Sequence, residues 1–382
     1  MGTLSGSSTS DVVVIGSGLV GACAAYELSA AGLTVTLLDA QRSGRASDAG
    51  AGIASPQTFH DRDEHWYRFG CSALQHLRDL VGRLAEDGVA VGSDAFSACG
   101  SLVLALAEHE NSFFDEVCSA VLGRDPTVSE ITPDQATSLF PPLAPPWRAL
   151  YSPQSARVDG HLLCRAVREA AVRRGATSVT AAVARIERGS GKSLRVVADT
   201  DTTDCATAVL AAGSWSPSLA ETLGAELPVS PTKGEIVHLS SKADGGSQDT
   251  GSWPIVQPIL NFYLVPWPGG RVACGGTFEA NAGFDVCPTA AGLRDLLREC
   301  LTIAPGLAHS SVVETRVGLR PMSPDDRPML GPLVQAPELH VCTGHGANGL
   351  LMGPYSAALV ATGIVSGRPA PELAPYSPSR FS

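Results

Sequence analysis

The stretch DVVVIGSGLVGACAAYELSAAGLTVTLLDA, residues 11–40, narrows the folds open to this chain more than any other. The apolar run VVVI (12–15) enters Gly16-x-Gly18-x-x-Gly21, an alanine-rich amphipathic segment follows, and a second run, VTLL (35–38), ends on Asp39. That order reads as strand, turn, helix, strand, the opening of a Rossmann-like α/β unit. Gly16 permits the tight turn, Gly18 lets a pyrophosphate approach the backbone, and Gly21 allows close packing of the helix, whose N-terminus faces the anion. Asp39 lies 18 residues beyond Gly21, where a carboxylate at the end of the second strand accepts hydrogen bonds from a ribose. Three glycines alone are weak evidence. With both strands and the terminal acid they predict a dinucleotide site, and leave FAD and NAD both open.

The chain has 382 residues, 44% hydrophobic and 17% charged, a globular composition with room for about two or three domains. Lys and Arg number 27 against 38 Asp and Glu. The formal charge of −11 repels phosphate backbones and no basic cluster offsets it, so no nucleic-acid partner is expected. Ten cysteines show no CxxC and no spacing suited to zinc; reduced, mostly buried thiols and no metal are expected. No apolar run approaches the roughly 18 residues of a membrane span, and MGTLSGSSTS lacks the basic-then-apolar pattern of a secretory signal. A cytoplasmic protein with a short floppy N-terminus is the expectation.

Downstream, RSGRASDAGAGIAS (42–55) carries little side chain and reads as a loop able to lie flat along an extended cofactor. Over 61–88, Trp66, Phe69, Leu74, Leu77, Leu80, Val81 and Leu84 recur at amphipathic helical spacing. A strand at 102–106, a helix at 113–122 and a proline-rich turn at 141–146 precede a helix at 161–175 and strands at 178–186 and 194–198. CATAVLAAGSWSPSL (205–219) is a buried parallel strand meeting a loop. Alternating strands follow at 235–239, 262–265 and 272–275, then a helix at 289–303. A strand at 312–319 leads into GLRPMSPDDRPMLG (318–331), whose three prolines exclude a helix interior or a central strand. A strand at 339–342, the turn GHGANG and a helix at 350–365 complete the pattern. Parallel elements bracket antiparallel ones, which predicts an α/β chain of two interwoven domains. The expected division is 1–92, 150–224 and 314–382 for a discontinuous Rossmann-like domain and 93–149 with 225–313 for an antiparallel-sheet domain.

Six motifs stand in order along nearly the whole chain: GSGLVG with Asp39, GRASDAGAGIAS, VLAAGSWS, FYLVPWPGGRVACGG, GLRPMSPDDRPMLG and GHGANGLLMGP. With them the chain resembles the D-amino acid oxidase superfamily of flavoproteins, most closely its glycine oxidase, D-amino acid dehydrogenase and sarcosine oxidase branch. The resemblance implies FAD and an antiparallel sheet roofing the flavin. It puts Gly16, Ser17, Gly18, Val20 and Gly21 at the pyrophosphate and Asp39 at the adenosine ribose. Arg45, Ser47 and Asp48 fall along the cofactor, with Gly52 and Ile53 close to the flavin ring. Val183 matches a position whose backbone meets adenine, and Ala212, Gly213 and Trp215 sit where the FAD passes.

Oxidising an amine on a flavin requires the substrate Cα–H to be held against N5 with the amine neutral; the protein supplies orientation and electrostatics. For an amino acid, orientation means gripping the carboxylate. Arg320 is the candidate, since Arg316, Gly318 and Arg320 share one face of their strand, Gly318 leaves room, and a planar guanidinium binds a carboxylate through two parallel hydrogen bonds. The family's carboxylate-binding arginine stands at this GLRP position; a structural salt bridge to Asp325 or Asp326 is the alternative. Tyr263 matches a tyrosine whose hydroxyl helps hold the same carboxylate, with a packing role as the alternative. His345, open to a reading as a catalytic base, is expected instead to support the loop under the flavin. Gly344, Gly346, Asn348, Gly349 and Leu350 offer N–H donors at a helix N-terminus for the charge that builds on the reduced ring.

Two departures from the family pattern stand out. The second arginine of glycine oxidases falls on Ala347, so the pocket admits a different side chain or leans more on Arg320. Where monomeric sarcosine oxidases attach FAD through a cysteine, this chain has Leu319, Arg320 and Met322, so the flavin is expected to be non-covalent; the lysine they use toward oxygen has no match around Cys274. The expected function is therefore oxidation of a small D-amino acid, glycine, N-alkyl glycine or imino acid by hydride transfer to flavin N5, giving an imine that water hydrolyses. Oxygen or another acceptor takes the electrons. A flavin-binding subunit inactive outside a multi-subunit amine dehydrogenase and an NAD-linked dehydrogenase are the alternatives, and a homo- or hetero-oligomer is left open.

Overall fold

The computed structural model describes residues 7–58, 63–191, 193–240, 249–259 and 262–381. Of the expected floppy N-terminus, the first six residues lie outside this set, whereas Ser7–Ile15 is already a strand. It forms the middle of the first sheet, parallel to Val35–Asp39 on one side and Thr202–Leu210 on the other. Its apolar run has no polar alternation because both faces are covered. Val12 and Val14 pack under the helices Leu19–Ala30, Gly160–Arg173, Gly349–Ser366 and Glu64–Glu86. Val13 and Ile15 face Ile186, Leu194 and Val196 of an antiparallel arm. Each such side chain, fully buried, contributes about 1.5–3 kcal/mol.

The arm corrects the reading of 178–186 as one strand. Thr177–Thr180 pairs with Val35–Asp39 at one end of the sheet, and Val183–Arg188 pairs with Leu194–Ala198 at the other. Only Ala181 and Ala182 join them, a reach of about 11 Å at most. The sheet therefore folds back on itself, bringing the arm over the parallel strands. Thr202–Leu210 serves both layers, antiparallel to Leu194–Ala198 in its first half and parallel to Leu339–Thr343 at its end.

The Leu19–Ala30 helix, expected to be amphipathic, is buried nearly all round between Gly160–Arg173 and Gly349–Ser366; Ala22, Ala24 and Ala25 let the neighbours approach. Gly346–Ser366, which contains the helix Gly349–Ser366, has the length and apolar composition of a membrane span, contrary to the expectation that no run approaches one. It packs as a core helix on Leu19–Ala30 and Glu64–Glu86.

The second sheet runs in the order Ser311–Met322, Ser230–Ser240, Arg271–Gly275, Tyr263–Trp267, Ile255–Pro258, Ser101–Ala105, Arg148–Ser152, Ser129–Ile131. Its pairs are antiparallel except Ile255–Pro258 with Ser101–Ala105. Ser311–Met322 continues past the expected end at Leu319, so Arg320 stands on the strand and not in the loop beyond it. Pro321 is tolerated there because the strand lies at the sheet edge. The expected domain divisions at 149/150 and 313/314 fall inside Arg148–Ser152 and Ser311–Met322, each hydrogen-bonded along its length into this sheet. Leu296, Cys300 and Ile303 of the helix Ala290–Ile303 cover one face.

A small third sheet, Ile53–Ala54, Ala156–Val158 and Phe96–Ala98, sits between the two. Its buried Arg157 donates to the carbonyls of Pro266 at 2.8 Å and Gly251 at 2.7 Å, tying this sheet to the second one. Val158 N–H donates to the Gly52 carbonyl at 2.8 Å, and the approach is so close that a Cβ on Gly52 would lie 2.5 Å from the Val158 carbonyl oxygen.

Candidate active site

A cavity of about 570 Å³ follows the carboxyl ends of the parallel strands and runs under the second sheet. Crevices at strand ends are where open α/β sheets bind ligands. Asp39, Val183, Gly16, Gly18, Val20, Arg45 and Ser47 line it on the side of the first sheet, as do Gly213, Trp215 and Ala212, the last beside Gly16. Gly52, Ile53, Gly346, Asn348, Gly349 and Leu350 line the far end. Four residues expected at the cofactor stand outside the lining. Gly21 packs behind the turn, where a Cβ would fall 1.8 Å from the Gly16 carbonyl oxygen. Ser17 is buried, its N–H donated to Asp39. Asp48 pairs with Arg45 at 2.7 Å and lines a separate, shallower cavity. A Cβ on Gly344 would face Met329 and Ser323 instead.

These residues fit an FAD. Gly16 has φ +98°, and a Cβ there would lie 2.6 Å from the Ala211 carbonyl oxygen; no other residue type sits comfortably in this turn. The helices Leu19–Ala30 and Gly349–Ser366 both begin at the cavity, where their first-turn N–H groups have no intrahelical acceptor. Leu19 N–H donates to Ser47 Oγ at 3.0 Å, which braces the first of them. Asp39 accepts from Ser17 N and Gln41 N and lies 3.4 Å from Arg45; with about four lone-pair positions its carboxylate keeps capacity for a ribose hydroxyl.

At the far end, Arg320 and Tyr263 meet. The guanidinium donates to the Thr277 carbonyl at 3.0 Å and stacks 5.8 Å from the Phe278 ring. Among the described residues no carboxylate lies in ion-pair range of it. Of the two expected alternative partners, Asp325 is taken by Arg380 at 2.8 Å, and no ion pair joins Arg320 to Asp326 among the described residues. Burial pushes the Tyr263 hydroxyl up, while Arg320 beside it pulls it partly back, so the phenol remains a neutral donor. His345 lines the cavity with Nε2 buried and without a partner among the described residues; burial lowers its pKa to about 4, so the ring is neutral near pH 7 and a poor proton acceptor. Its backbone bridges to Met322, next to the Arg320 strand segment.

Several lining residues were not read from sequence. Gly234 lies under Arg320, where a Cβ would fall 2.1 Å from Nη1; a glycine inside a strand, as in KGEIVHL, was the available signal. Ile236 and Gln257 also line the cavity, and neither carries a motif.

Comparison with known proteins agrees with this geometry. A family model described as "DAO: FAD dependent oxidoreductase" matches residues 11–362. A glycine oxidase of Pseudomonas aeruginosa is 31% identical over 393 aligned positions, covering 96% of this chain and 98% of the relative. An uncharacterized oxidoreductase of Bacillus subtilis, YurR, is 32% identical with the same coverage. Among solved structures, iminodiacetate oxidase from Chelativorans sp. BNC1 superposes with a TM-score of 0.88 at 34% identity, covering 96% of this chain and 98% of that one. Glycine oxidase from Geobacillus kaustophilus gives 0.89 at 26% identity, covering 98% and 99%. The dinucleotide left open by the first motif is thus FAD, and the chain belongs to the DAO family of FAD-dependent oxidoreductases.

Proposed function

We propose that this oxidoreductase takes the Cα–N bond of a small amino acid, of the D-amino acid, glycine, N-alkyl glycine or imino acid type, to the imine, which water hydrolyses. The observation that carries the reading is Arg320: a cation without a carboxylate partner among the described residues, facing the far end of the cavity beside a neutral tyrosine hydroxyl. Its guanidinium would hold the substrate carboxylate through two parallel hydrogen bonds, and Tyr263 would donate a third. That grip sets the Cα and nitrogen toward the Gly52–Ile53 side, and the second sheet with the Gly349–Ser366 helix excludes water from the reacting bond. FAD, when bound non-covalently, supplies the two-electron acceptor, and the first-turn N–H groups after Asn348 face its charge. His345, neutral and buried, holds its loop and moves no proton. The electrons pass on to oxygen or another acceptor.

In this reading residues 1–92, 150–224 and 314–382 build the FAD-binding domain and 93–149 with 225–313 the substrate domain, the strands Arg148–Ser152 and Ser311–Met322 being shared with the second sheet. Glycine oxidase and iminodiacetate oxidase among the similar proteins support the substrate class. The test is an anaerobic screen of the holoprotein against glycine, sarcosine, iminodiacetate, proline and D-amino acids. Bleaching of the oxidised flavin band by at least one supports the reading, and bleaching by none removes it.

A further inference from the structure

Resting on the substrate site proposed above, the second sheet contains a polar group that neither Arg320 nor Tyr263 accounts for. Gln257 stands on the strand Ile255–Pro258, next to Tyr263–Trp267. Val256 is opposite Leu264 in this antiparallel pair, so Gln257 is opposite Tyr263, and the two side chains share one face of the sheet. Both line the main cavity. Tyr263 reaches the other way: the same Cβ position on Gly276 that would touch its hydroxyl at 2.6 Å lies 3.2 Å from Arg320 Nη2. The order across the face is thus Arg320, Tyr263, Gln257.

The Gln257 amide has no hydrogen-bond partner among the described residues, and its Oε1 is shut off from solvent. Oε1 has lost its water without replacement, while the amide nitrogen keeps donors that no described residue uses. Ile53, Ser55 and Ile236 also line the cavity, Ala347 stands where the family pattern has an arginine, and among the lining residues of the second sheet Arg320 is the one cation. A second carboxylate here would be buried against a neutral wall.

We propose that Gln257 is a specificity-determining residue that binds an uncharged hydrogen-bonding group, a carboxamide or hydroxyl, on the arm of the substrate pointing away from the Arg320-bound carboxylate. The amide nitrogen, unlike Oε1, is not closed off from the cavity and offers its donors to the oxygen of such a group, whereas an alkyl arm leaves them unmade. Substrates in this class are N-substituted or side-chain-bearing amino acids with a polar, neutral end.

The experiment uses ligands that cannot be oxidised at nitrogen, so binding is read apart from turnover. Holoprotein is titrated with 4-carbamoylbutanoate, pentanoate and glutarate, following the flavin difference spectrum. The expected result is 4-carbamoylbutanoate binding roughly tenfold or more tighter than either of the others. In Gln257→Met and Gln257→Leu, both checked for flavin content, the preference over pentanoate falls to about one. An unchanged preference in a variant that still holds FAD overturns the role of Gln257. Glutarate binding as tightly as the amide overturns the neutral-arm assignment. Failure of all three ligands in the wild-type protein removes the carboxylate site itself, and the proposal with it, which is a different outcome from loss of selectivity alone.

Discussion

Arg320 and Tyr263 come together over Gly276, the arginine Nη2 and the tyrosine hydroxyl both within 3.2 Å of the point where a side chain at 276 would begin. The hydroxyl therefore adds one donor to a site that the guanidinium dominates. Tyr263→Phe should keep FAD and raise KM for a carboxylate substrate by roughly three- to tenfold, the worth of one hydrogen bond. Steady-state kinetics on the variant check this; an unchanged KM assigns the tyrosine to packing.

Gly234 gives the guanidinium its place. A methyl group there would fall 2.1 Å from Nη1, and the arginine, being the flexible partner, would swing away. Gly234→Ala should therefore keep its FAD and its melting temperature within a few degrees while KM rises at least about tenfold. Lost flavin with unchanged KM would contradict the steric account.

Cys342 is a cysteine lining the cavity, and burial pushes its thiol far above the ordinary range. A protonated thiol is a weak nucleophile. Acid precipitation or heating should release all the flavin into solution as intact FAD, and mass spectrometry of the polypeptide should show no adduct.

Histidine burial sets an acid limit. His238, His340 and His345 each have pKa values lowered to about 4 by desolvation, His238 also by Arg316 and Arg271. In the unfolded chain they return to about 6.5. Between these values the unfolded state binds protons that the folded state does not, so stability is full above about pH 6.5 and falls as pH drops toward 4. The slope is roughly 1 kcal/mol per pH unit for each histidine. Urea unfolding midpoints at pH 7, 6 and 5 should decline in that order; equal midpoints would contradict the burial of these rings.

Much of the fold was legible where a local pattern met one physical demand. The glycine turn, the two apolar runs and Asp39 specify a strand–turn–helix–strand unit regardless of what packs on it. The break at Ala181 and Ala182 was not legible, because the residues on either side all suit a strand and only the fold-back of the sheet interrupts them. Likewise Pro321 read as the end of a strand, since edge position is a tertiary property that makes a missing N–H harmless. At the site, Arg320 and Tyr263 were visible through motif positions. Gln257 was not: a lone glutamine on a short strand carries no pattern, and its proposed role rests on its lining the cavity with an amide that no described residue hydrogen-bonds.

The central claim is that Arg320 holds a substrate carboxylate while the Cα–N bond is oxidised. Anaerobic reduction of the bound flavin should be measured with an amino acid that works and with the same amine lacking its carboxylate, for example sarcosine against dimethylamine, in wild type and Arg320→Ala. The account predicts fast bleaching only for wild type with the carboxylate substrate, and a loss of roughly two to four orders of magnitude in Arg320→Ala at unchanged FAD content. Equal reduction by both amines, or an Arg320→Ala protein as fast as wild type, would contradict it.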